Sequence, residues 1–141
     1  MPNYCHNILT VQEGDTSHLE GFMSFYKPPF QIGQEQFLDF DKILPMPEGI
    51  NKDEDSPNPE WYVWRSQNWG TKWNSIDCNI TQNEITFLTA WAPPQKVIHE
   101  LAQLVGKTLV LDFQSVDSGF EGKLTSHPDG KFEYEDREIS Y

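Results

Sequence analysis

The sequence has no apolar run approaching the roughly 18 residues that a membrane span needs, and it does not begin with the basic and apolar stretches of a secretory signal. We therefore expect a soluble, cytoplasmic protein that makes no membrane contact. Basic residues are also scarce, since 10 Lys and Arg stand against 22 Asp and Glu, for a net charge of −12. This negative field repels phosphate backbones, which makes direct nucleic-acid binding a minority hypothesis and favours a partner with a basic surface.

Cysteine and histidine are few and scattered. Cys5 and Cys78 lack the spacing of a metal site and are too few for a disulfide scaffold, so both are predicted to be small buried apolar residues. The four histidines lie on different predicted elements, and none has a second ligand at metal spacing, so we expect no metal and no cofactor. They are His6, His18, His99 and His127.

Motifs for catalysis are missing as well. The chain has no nucleophile elbow, phosphate-cradling loop or dinucleotide fingerprint, and the sequence therefore predicts a noncatalytic protein. Catalysis needs a titrating group within hydrogen-bond reach of a second group. The four residues most suitable for such a pair are His6, Lys72, Asp77 and Asp112. We accordingly predict that no two of them lie within hydrogen-bonding distance of each other beside an open pocket.

The length and composition favour one folded domain over residues 1–141. Five Trp, five Tyr and nine Phe are too many aromatic residues for a disordered chain, and 141 residues suffice for one sizeable core. Alternating apolar residues predict a first strand over 4–11, and apolar spacing after Asp15 predicts a first helix that ends at Pro28. Residues 30–61 are predicted to form an insertion with one short element and an exposed acidic loop over 51–59.

The second half of the chain has clearer patterns. Residues 76–91 alternate as a hairpin, and a helix with an apolar stripe from Val97 to Val105 follows Pro93 and Pro94 and ends at Gly106. Three further alternating stretches predict a C-terminal β-meander. The order β-α-insertion-β-β-α-β is that of the ferredoxin-like split βαβ: an α+β fold with an antiparallel sheet and two helices on one face. The first two strands are not neighbours in that sheet, so Cys5 and Cys78 should not meet.

Aromatic residues are concentrated over residues 61–73, which hold four of the five tryptophans. The run from Asn68 to Asn74 combines two indoles, two amides, a hydroxyl and an ammonium, which suits a planar ligand that is stacked and hydrogen-bonded at its edge. Its candidate ligand-binding residues are Asn68, Trp69, Thr71, Lys72, Trp73 and Asn74. The alternative, which we favour, is that these aromatic side chains pack the insertion onto the sheet.

Four segments in order resemble phage- and plasmid-borne proteins of unknown function that carry a YubB-type ferredoxin-like domain. The segments are residues 3–11 (beginning Asn-Tyr-Cys-His-Asn), 43–47 (Ile-Leu-Pro-Met-Pro), 69–74 (Trp-Gly-Thr-Lys-Trp-Asn) and 89–94 (Thr-Ala-Trp-Ala-Pro-Pro). Tyr4 and His6 depart from the usual Trp and Glu. The resemblance implies a ferredoxin-like fold and a mobile-element origin, and it implies no catalytic residue.

Acidic residues gather in two places. The predicted partner-binding residues Asp53, Glu54, Asp55 and Glu60 belong to the insertion, and a second group near the C-terminus comprises Glu133, Glu135, Asp136 and Glu138. Such groups present an array of negative charge to a basic groove, or they form a solvated face.

The leading hypothesis is a noncatalytic accessory protein of a mobile element that binds a basic host protein and inhibits nucleic-acid handling or defence. The alternative is a small-ligand or nucleotide-binding module at Trp69, Lys72 and Trp73, and a third hypothesis places an enzyme at that same pocket.

Overall fold

The structure, a computed structural model, describes residues 4–26, 35–50 and 60–139. The strands in these residues are β1 (Tyr4–Val11), β2 (Met23–Tyr26), β3 (Glu35–Leu38), β4 (Ile76–Ile80), β5 (Ile85–Ala90), β6 (Leu109–Ser115), β7 (Phe120–Ser126) and β8 (Phe132–Glu138). The helices are a 3₁₀ helix (Thr16–Phe22), α1 (Phe40–Ile43), α2 (Glu60–Asn68) and α3 (Gln95–Val105). The predicted acidic loop over 51–59 lies outside the described residues.

Six strands form one antiparallel sheet in the order β4-β5-β1-β6-β7-β8. Its first four strands have the ferredoxin-like arrangement, in which the first strand of the chain lies between the third and the fourth of the split βαβ. The predicted hairpin, the C-terminal meander and the α+β fold class are thereby confirmed. β7 and β8 extend the sheet, and β2 and β3 pair separately.

One face of the sheet carries the core. Strand β1 buries every second residue, namely Cys5, Asn7, Leu9 and Val11, and turns the intervening side chains to the opposite face. Helix α3 packs on the buried face through Val97, Ile98, Leu101 and Ala102.

Helix α3 confirms the strongest sequence pattern. It ends where predicted, because Gly106 adopts a φ of 69° and donates its backbone N–H to the carbonyl of Ala102 at 3.0 Å. Leu104, however, is 51% exposed, so the predicted apolar stripe is wrong at that residue. Ala102 takes a place in the core instead.

The predicted first helix is wrong beyond Phe22. Asp15 does cap its start, accepting a hydrogen bond from the N–H of Ser17 at 3.0 Å, but the element is a 3₁₀ helix. The chain then becomes β2, in which Met23 pairs with Leu38 of β3. Apolar residues at 19, 22, 23 and 26 fit a helical period, yet Gly21 weakens a helix and the pairing with β3 decides the conformation.

The two cysteines are apart and free, since β5 lies between β1 and β4 in the sheet. Cys5 is buried as predicted, whereas Cys78 is half-buried and packs against the edge of the core. Burial raises the pKa of the Cys5 thiol to about 11, and burial also raises the pKa of Cys78. Both thiols are therefore poor nucleophiles at neutral pH.

Gly122 on β7 is required by the packing of three strands. A Cβ at this position would collide with the carbonyl oxygen of Glu135 on β8 and would lie 2.6 Å from Cζ of Phe113 on β6. Phe113 cannot retreat easily, because its ring stacks on Tyr134 with a centroid distance of 5.6 Å and meets Phe120 edge-on at 6.2 Å.

We therefore expect Gly122→Ala to lower the free energy of unfolding by about 1–3 kcal/mol through overpacking. Gly21→Ala is the matched control, since a Cβ at Gly21 meets no atom within 4 Å. It should be neutral or stabilising by up to about 1 kcal/mol. Urea unfolding of the two variants checks this, and equal stability would contradict the close packing of β6, β7 and β8.

Candidate functional site

Helix α2 carries the tryptophan-rich segment to the end of β5. The helix ends with the N–H groups of Trp69 and Gly70 both donating to the carbonyl of Arg65, at 2.8 and 3.1 Å. Gly70 then turns the chain with a φ of 77°, a conformation that favours glycine. Lys96 of α3 fixes the end of α2, because its Nζ donates to the carbonyl of Gln67 at 2.6 Å.

Trp69 belongs to the core. Its side chain is 1% exposed, and its Nε1 donates to the carbonyl of Leu44 at 2.9 Å. The rings of Phe40 and Trp64 meet it edge-on, each with a centroid distance of 5.7 Å. A filled environment of this kind leaves no room for a ligand at Trp69, so the alternative of an open pocket walled by Trp69 is wrong at this residue.

Three further candidate residues are engaged in internal hydrogen bonds. Asn68 donates its amide to the carbonyl of Trp64 at 2.9 Å. The Asn74 side chain accepts from the N–H of Phe40 and donates to Asp39, each at 2.9 Å. Thr71 is buried, and its hydroxyl both donates to the carbonyl of Ala90 at 2.9 Å and accepts from its N–H at 3.0 Å. These side chains attach the segment to α1 and to β5.

Lys72 and Trp73 are different, because both are half-buried and their side chains make no hydrogen bond within the described residues. Lys72 instead points among aromatic rings. The Lys72 Nζ lies 4.8 Å from the ring centroid of Trp73, 5.5 Å from that of Trp91 and 5.7 Å from that of Tyr62. We call these three rings and Lys72 the aromatic cage. Tyr62 and Trp91 were not among the predicted ligand-binding residues, since only the folded chain places the end of β5 beside Lys72.

A buried hydrogen-bond network positions Trp91. The Asn7 amide donates to the hydroxyl of Thr89 at 3.0 Å, and that hydroxyl donates to the carbonyl of Ala92 at 2.7 Å. The N–H of Ala92 in turn donates to the carbonyl of Ala90 at 2.8 Å, across Trp91 with a φ of 68°. This is the geometry of a strained γ-turn, which is rare for a bulky residue. It leaves the Trp91 side chain 42% exposed.

The acidic candidates divide into three groups. Asp53, Glu54 and Asp55 lie outside the described residues, and Glu60 is exposed in the first turn of α2. Two further acids have structural roles: Asp39, the residue before α1, caps that helix, and Asp41 in its first turn accepts from the N–H of Met46 at 2.9 Å. The C-terminal acids Glu133, Glu135, Asp136 and Glu138 all lie on β8 and are exposed.

The sheet face opposite the helices contains an open depression of about 520 Å³, lined by residues of β1, β6, β7 and β8. His6 and Asp112 both line it, but no hydrogen bond joins them within the described part of the chain. Asp112 lies 3.9 Å from Lys123, and Glu121 bonds Arg137 at 3.0 Å. Within the described residues, Asp112 therefore pairs with Lys123 and not with His6.

Over 4–26, 35–50 and 60–139, no three His, Cys, Asp or Glu side chains come together to hold a metal ion. No helix in these ranges is long and apolar enough to cross a bilayer.

The fold defines a ferredoxin-like α+β domain, and sequence comparison specifies the family. Residues 68–139 match the model of the ferredoxin-like domain in Api92-like protein. The chain belongs to that family. The YubB type and the phage or plasmid origin stay predictions.

A solved structure, the crystal structure of the protein api92 from Yersinia pseudotuberculosis, shares the fold with a TM-score of 0.59. The sequences are 17% identical, and the match covers 78% of this chain but 43% of that one. No curated protein matches the chain. These comparisons support the fold and assign no activity.

The two tryptophans of the segment should differ in their contribution to stability. Trp69→Ala removes a buried indole and its hydrogen bond to Leu44, so we expect a loss of about 3–5 kcal/mol. Trp73→Ala is the matched control, because its half-buried ring should cost well under half of that. Chemical denaturation of both variants measures their free energies of unfolding. Similar losses of stability would contradict the assignment of Trp69 to the core and of Trp73 to the aromatic cage.

Proposed function

We propose that this chain is a noncatalytic accessory protein of a phage or plasmid that acts in the bacterial cytoplasm by binding a basic host protein. The observation that carries this proposal is strand β8. It is the last strand of the sheet, it is exposed at all seven positions, and it bears four carboxylates against one guanidinium. The mobile-element origin is supported by the resemblance of the four sequence segments.

The edge of β8 offers both backbone and side-chain contacts. One side of the strand pairs with β7, and within the described residues no strand pairs with its other side. An extended segment of a partner can add there by main-chain hydrogen bonds. Phe132 and Tyr134, which are 54% and 37% exposed, supply apolar contact area along the same strand.

Charge selects the kind of partner. Glu133 and Glu135 point to the face with the depression, whereas Asp136 and Glu138 point to the opposite face, because side chains alternate along a strand. Carboxylates therefore flank the edge on both faces. They repel a second copy of β8 and attract a basic segment, so the edge favours a basic partner over self-association.

A basic partner of this kind is a protein that handles nucleic acid. Its phosphate-binding groove is lined with Lys and Arg, and an acidic edge strand competes with phosphates for those groups. We infer that the chain inhibits a host nucleic-acid-handling or defence protein in this way. In the depression beside β8, Asp112 lies 3.9 Å from Lys123, and Glu121 lies 3.0 Å from Arg137.

Removing three charges from β8 should weaken capture of the partner. The test variant combines Glu133→Gln, Glu135→Gln and Glu138→Gln. The immobilised wild-type protein and this variant are each used in a pull-down from a lysate of the bacterial host, and the captured proteins are identified. We expect the wild type to recover a specific basic protein, with recovery falling as salt screens the charges. The β8 variant should lose that recovery at least several-fold.

Two matched variants carry the same charge change elsewhere. One replaces the exposed residues Glu13, Glu20 and Glu48 by Gln, and it should capture as the wild type does. The other replaces Asp53, Glu54 and Asp55 by their amides. Loss confined to that loop variant would contradict the assignment to β8, and equal capture by all variants, or no specific capture by the wild type, would contradict protein binding through acidic charge.

A further inference from the structure

Among the described residues, the partners of the Lys72 ammonium are aromatic rings and not carboxylates. Within the described residues it makes no hydrogen bond and no ion pair, and its neighbours are the rings of Tyr62, Trp73 and Trp91 at 4.8–5.7 Å. A cation within about 6 Å of a ring centroid is attracted by the ring quadrupole. Each of the three rings is close enough to attract the Lys72 ammonium in this way.

The three rings do not pack against one another. The ring contact that Tyr62 makes in the described chain is with Trp61, at a centroid distance of 5.9 Å, and Trp73 and Trp91 meet no aromatic ring at contact distance there. The Lys72 side chain therefore occupies the space between them. If Lys72 leaves, the faces of these rings become available to another cation.

The scaffold holds the site in place even though the Lys72 ammonium makes no hydrogen bond to the residues that the structure describes. Thr71, the residue before Lys72, bonds both backbone groups of Ala90, the residue before Trp91. These two bonds fix Lys72 and Trp91 side by side. The γ-turn at Trp91, supported by the buried Asn7 and Thr89, directs a large ring to a partly exposed position at the cost of backbone strain.

We propose that Tyr62, Trp73 and Trp91 form a binding site for an alkylated ammonium group, and that Lys72 is its displaceable internal occupant. A primary ammonium is strongly hydrated and gains water when it swings out. A quaternary ammonium is weakly hydrated and gains more from aromatic faces, which is why aromatic cages recognise such groups. Displacing Lys72 breaks no salt bridge within the described chain. A competing cation therefore only has to replace the contacts between the Lys72 ammonium and the three rings.

The aromatic cage is separate from the acidic edge. Strands β1, β6 and β7 lie between β5, which leads to Trp91, and β8. Failure of the cage experiment would leave the protein-binding proposal standing, and the reverse holds as well.

The test measures binding of choline to the full chain by titration, following the indole N–H signals of Trp73 and Trp91 by NMR. Lys72→Ala removes the internal competitor, and we expect it to bind choline about tenfold more tightly than the wild type. Lys131→Ala is the matched control for charge, because Lys131 is exposed and its ammonium lies over no ring of the described residues. It should bind as the wild type does. The uncharged isostere 3,3-dimethylbutanol should bind Lys72→Ala far more weakly than choline.

A second variant lacks one ring of the site and distinguishes a loss of choline binding from a loss of folding. Trp91→Gly in the Lys72→Ala background removes a ring while suiting the positive φ, so it should fold and lose choline binding. A peptide with one trimethylated lysine, titrated against Lys72→Ala beside choline, distinguishes a protein-borne ammonium from a free one. Binding of neither by Lys72→Ala, equal binding of choline and its uncharged isostere, or retention of binding after Trp91→Gly would overturn the proposal.

Discussion

The attachment of Thr71 to Ala90 governs the whole region around the tryptophan-rich segment. A single buried hydroxyl satisfies both the N–H and the carbonyl of Ala90, at 3.0 and 2.9 Å, and thereby joins the chain after α2 to the end of β5. Buried polar groups need such partners, because an unpaired one costs about 1–3 kcal/mol. With Thr71 fixed, Trp69 on one side enters the core and Lys72 on the other side reaches Trp91.

The four segments that carry the family resemblance meet around this attachment. Asn7 from the first segment bonds Thr89 from the last, Leu44 from the second accepts from Trp69 in the third, and Thr71 bonds Ala90. Segments far apart in sequence thus form one hydrogen-bonded unit. The same unit also places Lys72 beside Trp91, so stability and the proposed recognition of a cation share the bonds between Thr71 and Ala90.

Residue patterns predicted the sheet and failed where tertiary contacts compete with local preference. Alternation fixed the faces of β1, β5 and β6, since a one-residue shift would expose the core. The residues after Phe22 fit a helical period, but pairing with the strand β3, which no local pattern links to them, determined the outcome. In the candidate site, the burial of Trp69 could be predicted from its size and apolar character. The aromatic cage could not be predicted, because Trp91 reaches Lys72 only through the hydrogen bond between Thr71 and Ala90, nineteen residues apart in the chain.

The position of the Lys72 ammonium can be observed directly through the ring currents of its neighbours. In NMR spectra of the full chain, the ε-methylene protons of Lys72 should resonate clearly upfield of those of the exposed Lys131, because three aromatic rings lie within 6 Å of its Nζ. Saturating choline should move them to the position of Lys131 as Lys72 leaves the cage. Lys72 protons that coincide with those of Lys131 in the free protein would contradict the cage itself.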